Sequence, residues 1–106
     1  MRNLLISVLY IPFLYFAAFA QDGLPEKPDS WVNDYANILS ASETQDLDGM
    51  LSGLEKRSSN QIFIALFKTM PENTYLDDFA VKLYDKWKPG LADQDNGMLM
   101  VIFIDD

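Results

Sequence analysis

The chain has 106 residues, a net charge of -8, and neither cysteine nor histidine. That balance repels nucleic acid and anionic lipid surfaces and favours cationic partners. It also excludes disulfide staples, thiolate chemistry and any catalytic triad or metal site built on imidazole. The oxygen ligands that remain suit hard cations, calcium or magnesium, better than transition metals.

Met1-Arg2-Asn3 is a short basic start, and Leu4 to Ala20 is almost wholly apolar. Ala18-Phe19-Ala20 has the small-x-small pattern of a signal-peptidase site, which predicts an exported protein with residues 1–20 removed. The apolar run contains Pro12 and is shorter than the ~20 residues a membrane span needs, so cleavage is the preferred reading over an uncleaved anchor. Residues 21–30 form a polar leader with two prolines, extended on the surface.

The folded part begins near residue 31. Trp31-Val32-Asn33-Asp34-Tyr35-Ala36 reads as a short extended piece or turn docked through Trp31, Val32 and Tyr35. Ser40-Ala41-Ser42-Glu43 fits a capping box. Leu47, Met50, Leu51 and Leu54 then follow the i, i+3, i+4, i+7 spacing of a helix whose stripe faces the core. Lys56 and Arg57 lie in its last turn, and Ser58-Ser59-Asn60 stops it.

Gln61 to Phe67 is an apolar run of strand length, and Met98 to Ile104 is a second. Uninterrupted runs of this kind predict strands buried on both faces. Between them, Leu76, Phe79, Ala80, Leu83 and Trp87 mark an amphipathic helix, with Asn73 or Thr74 as its cap and Pro89-Gly90 as its end. Its solvated face carries Asp77, Asp78 and Asp85 with Lys82, Lys86 and Lys88. Strand, crossover helix and strand of these lengths form one right-handed βαβ unit with parallel strands. The fold class is therefore α/β. Two doubly buried strands do not complete a sheet, so the sheet is expected to continue past Asp106, making residues 31–106 the first part of a domain.

In such a unit the first helix begins near the carboxyl ends of the strands, and Asp34 arrives there just before it. Asp105 and Asp106 leave the second strand at the same end, where open α/β sheets bind ligands. Asp34, Asp105 and Asp106 are thus a candidate metal set. Asp93, Asp95 and Asn96 precede that strand and belong at its opposite end. Asp93-Gln94-Asp95-Asn96-Gly97 does not fit an EF-hand loop, because glycine is fifth rather than sixth and Ile104 stands where a glutamate is needed. A tight turn with Asn96-Gly97 at positive φ is the simpler reading for that stretch.

Val32-x-Asp34-Tyr35-Ala36-x-Ile38-Leu39-Ser40, Gln61-Ile62, Phe79-Ala80 with Trp87-x-x-Gly90, and Asp95-Asn96-Gly97-x-Leu99 together resemble the TPM domain family. That family groups a thylakoid-lumen acid phosphatase-like protein, a photosystem II repair protein and bacterial exported proteins. The resemblance covers about residues 28–106. It implies a three-layer α/β/α sandwich with a mainly parallel sheet, truncated here after the βαβ unit. Lys88-Pro89 departs from the apolar residue usual before the glycine. The resemblance further implies calcium or magnesium bound by family acids. Carried over by position, those are Asp34 and the Asp95-Asn96-Gly97 turn, with Asp106 matched less closely.

Three functional expectations follow. The first is an exported divalent-cation-binding module that acts with a membrane or envelope protein, in the periplasm or on the outer membrane face, with an anchoring helix beyond the sequence. The second, an acid phosphatase, rests on the resemblance and on paired carboxylates holding ions that activate water. The third is an envelope protein whose acids only maintain solubility.

Overall fold

The computed structural model describes residues 22–90 and 95–105. The predicted leader at 1–20, together with Asp93 and Asp106, lies outside them. Five elements follow in order: β1 (Val32–Asp34), α1 (Ala41–Ser58), β2 (Gln61–Phe67), α2 (Leu76–Trp87) and β3 (Gly97–Phe103). The strands form an all-parallel sheet in the order β1-β2-β3. The α/β class and the parallel crossover read from the sequence are what the chain adopts.

Residues 31–36, read as a docked piece or turn, contain a true strand. Val32, Asn33 and Asp34 pair in parallel with Ile64, Ala65 and Leu66. The strand is too short for apolar alternation to announce it. Its pairing is extended by Ile64 N–H donating to the Trp31 carbonyl at 2.7 Å and Ala36 N–H to the Leu66 carbonyl at 3.0 Å.

Helix α1 starts as its capping box dictates. Glu43 N–H donates to Ser40 Oγ at 3.0 Å, and Ser40 N–H donates to Glu43 Oε1 at 2.9 Å. It ends at Ser59, which takes the left-handed conformation. Two of its acids hold the sheet rather than face water. Asp48 Oδ1 accepts Val32 N–H at 2.8 Å, while Glu55 Oε1 accepts Trp31 Nε1 at 3.3 Å and Gln61 Nε2 at 2.8 Å. Helix α2 is capped at Tyr75 without a side-chain hydrogen bond, so neither Asn73 nor Thr74 takes the role expected of them.

The core lies between the sheet and α2, where Phe63, Ala65 and Phe67 of β2 meet Phe79, Leu83 and Trp87. Leu99, Val101 and Phe103 of β3 pack against the same cluster. Here the expectation of double burial needs correction. The other face of β3 is open, with Met98 55%, Met100 45%, Ile102 38% and Ile104 41% exposed. Helix α1 packs over β1 and β2 and does not reach β3. Met50, counted in the core stripe, is likewise 68% exposed on α1. Leu47, Leu51 and Leu54 face the sheet as half-buried residues.

Candidate functional site at the carboxyl rim

Parallel register decides which acids can meet. Asp34 pairs with Leu66, and Leu66 with Ile102, so Asp34 stands at the carboxyl end of the sheet. The ladder between β2 and β3 runs on past the strand ends. Ile104 N–H donates to the Phe67 carbonyl and Asp105 N–H to the Lys68 carbonyl, both at 2.9 Å. Asp105 therefore emerges on the same rim, exposed to solvent. The two acids are separated by the width of β2, two strand spacings or about 10 Å.

The Asp34 carboxylate is held by the loop that follows it. Its Oδ2 accepts Ile38 N–H at 2.9 Å and Leu39 N–H at 2.8 Å. These donors stand just ahead of the α1 cap, with Asn37 at φ 57° making the turn between. Aspartate suits this place because its short side chain satisfies amides a few residues on. That accounts for one oxygen. Oδ1 is buried and has no hydrogen-bond partner. A buried carboxylate oxygen left unsatisfied is costly, and a bound cation or water is the usual explanation.

Beside it, Tyr35 stacks on Phe67 with ring centroids 5.1 Å apart, and Phe67 stacks in turn on Phe103 at 5.3 Å. Burial pushes the Tyr35 phenol above its ordinary value, so the ring is neutral at physiological pH. The rim thus carries an aromatic stack on its α2 face, while Asp34, in register with Leu66, lies on the other face.

Asp95 and Asn96 lie elsewhere. Gln61 pairs with Gly97, which puts both residues at the amino end, a full seven-residue strand or about 20 Å from the Asp34 rim. One ion cannot bridge the two ends. Asn96 serves the architecture there. Its Nδ2 donates to the Ser59 carbonyl at the end of α1, and its own carbonyl accepts Gln61 N–H at 2.9 Å. Asp95 makes the turn at φ 43°.

Gly97 lies directly against the Pro89-Gly90 step. A Cβ built on Gly97 would fall 1.9 Å from the Pro89 carbonyl oxygen. One built on Gly90, at φ +91°, would fall 2.6 Å from Gly97 N. The two glycine motifs form one close-packed junction that joins the end of α2 to the start of β3.

A TPM domain profile matches residues 32–106. The chain belongs to the TPM domain family. Comparison with curated proteins gave no match. The matched stretch contains both ends of the sheet: the Asp34 rim and the junction of Gly90 with Asn96-Gly97. Among the described residues of this TPM domain, no three acids are grouped closely enough to hold an ion together. Asp34 and Asp105 share the rim, and Asp106 lies outside the description. An aspartate in this turn reads from the sequence as one that bonds nearby backbone amides, and the structure identifies those amides as Ile38 and Leu39. The spacing of Asp34 from Leu39-Ser40 was the available signal, because an aspartate shortly before a helix cap commonly binds the intervening amides.

Two carboxylates elsewhere contribute modestly to the acid limb of stability. The Ser40 backbone amide, then its hydroxyl, hold the Glu43 carboxyl below its ordinary value. The Leu24 amide, then Lys86, hold Asp22 below 3.8. Both groups bind protons more weakly in the folded chain than in the unfolded one. Their contribution is complete above the unfolded values and is lost as pH falls through the folded ones. Melting temperature is expected to drop as pH is lowered below about 4. An Asp22→Asn, Glu43→Gln double variant should show a flatter decline, read by circular dichroism at a series of pH values.

Proposed function

We propose that this TPM domain is an exported divalent-cation-binding module, with Asp34 as the anchoring ligand and calcium or magnesium as the ion. The buried, unpaired Oδ1 of Asp34 carries this reading. An anionic oxygen held by two amides on one side and without a donor on the other fits a hard cation. Asp105 leaves β3 toward the same rim, with Asp106 next to it in the sequence, and further ligands would be carbonyl oxygens or waters, which calcium and magnesium accept readily. The apolar segment at Leu4 to Ala20, with its small-x-small end, supports export. An envelope protein as partner follows from that location and from the acidic surface.

No observation favours phosphoryl transfer at this rim. Arg57, the one arginine among the described residues, ends α1 beside the start of β2, at the opposite end of the sheet.

Calorimetric titration of the protein with calcium and with magnesium tests the proposal. Binding with a dissociation constant of roughly 10⁻⁴ to 10⁻³ M is expected, as at weak extracellular sites. Asp34→Asn keeps an oxygen for the Ile38 and Leu39 amides but removes the charge, and should weaken binding at least tenfold. Equal binding by the parent and the variant would refute the assignment of Asp34.

A further inference from the structure

The stretch Asp22-Gly23-Leu24-Pro25 lies ahead of the TPM match, yet it is among the best-held pieces of main chain. Leu24 is 7% exposed and Pro25 is fully buried. Two neighbouring side chains of α2 bind its carbonyls. Trp87 Nε1 donates to the Pro25 carbonyl at 2.9 Å, and Lys86 Nζ donates to the Leu24 carbonyl at 3.1 Å. The same ammonium pairs with Asp22 at 3.1 Å and Glu26 at 3.5 Å. Asp22 Oδ1 also accepts Leu24 N–H at 3.0 Å, closing a turn in which Gly23 sits at φ +75°.

We propose that Asp22–Pro25 is a latch: it docks across the end of α2, seals Trp87 into the core, and by docking creates the pocket beside it. That pocket, of about 510 Å³, has Asp22, Gly23 and Leu24 on one side and Asp78, Phe79 and Lys82 of α2 on the other. Undocking removes one wall, so the pocket exists only while the latch is closed. The contacts differ in strength. The exposed ion pairs guide the segment into place and contribute little stability. Leu24, Pro25 and the indole hydrogen bond hold it, because they bury apolar surface and satisfy a buried donor. Exposed Glu26, Lys27 and Asp29 then link the latch to β1 without matching contacts of their own, apart from the weak Glu26 pair.

The test uses the whole chain carrying Trp31→Phe, so that Trp87 is its one tryptophan, excited selectively beyond the tyrosine band. Leu24→Ser is expected to shift Trp87 emission to the red and to raise acrylamide quenching several-fold. Hydrogen exchange should quicken in the last turn of α2 while β2 stays protected. Lys86→Met, a milder change, should raise quenching about twofold with the fold intact. Unchanged emission and quenching in both variants would overturn the proposal. Protection lost from β2 together with α2 would also overturn it, since the segment would then be inseparable from the core.

Discussion

Alanine at position 97 is expected to leave the domain unfolded or barely stable. The added methyl would stand 1.9 Å from the Pro89 carbonyl oxygen, 2.2 Å from its carbon and 2.7 Å from Gly90 N. All three are main-chain atoms, so no flexible side chain can swing aside. Relief requires the end of α2 to separate from the start of β3, which disturbs Trp87 and the Gln61 hydrogen bonds together. Overpacking a well-filled site costs about 1–3 kcal/mol, occasionally more, and a main-chain collision belongs at the top of that range. Set against a total stability of about 5–15 kcal/mol, this is decisive for a small domain. Gly49→Ala is the matched control. It lies within α1 with open space around its Cβ and should stabilise the protein by about 0.5–1 kcal/mol. Urea unfolding of both variants, followed by circular dichroism, separates the two outcomes.

The second large effect is expected at Phe67. Its ring stacks on Tyr35 and Phe103 and meets Phe79 edge-on at 5.2 Å, joining β1, β2, β3 and α2 at the carboxyl end. Phe67→Ala should cost about 3–5 kcal/mol, the usual range for an aromatic ring deleted from a core. It should also loosen the rim, because Tyr35 adjoins Asp34 and loses the surface it lies on. Cation affinity is therefore expected to fall along with stability. Phe67→Leu keeps most of the volume and should lose about half as much. A variant that lost stability while binding calcium unchanged would separate the aromatic stack from the ion site.

These residues show what the sequence made legible. The two long strands, both helices and the capping box at Ser40 follow from apolar period and cap chemistry, which are local properties. The position of Asp34 at the carboxyl rim followed from the antiparallel run of helix and strand, which starts α1 near the strands' carboxyl ends. Strand β1 did not, because three residues carry no period and its pairing depends on β2, thirty residues away. The open face of β3 was not legible either. A continuous apolar run records that two faces are apolar, but not which one a neighbouring helix covers. The Asp95-Asn96-Gly97 motif carried the opposite difficulty. Its residue types suit an ion, yet its place ahead of β3 already puts it at the amino end, and the structure adds the contacts there that join α1, α2 and β3.

The latch was hidden for a related reason. A proline-containing polar leader reads as a surface tail, and nothing local reveals that Trp87 and Lys86 will bind its carbonyls. The acids of α1 have the same lesson in reverse. Asp48 and Glu55 look solvated on the helix, yet they accept hydrogen bonds from the first and second strands.

The most direct test of the cation reading is a nitrogen–proton correlation spectrum of the labelled protein, recorded as calcium is added. Progressive shifts are expected at the Ile38 and Leu39 amides and at Asp105, with Asp95, Asn96 and Gly97 left in place. Shifts confined to Asp95–Gly97, or none anywhere at millimolar calcium, would contradict it.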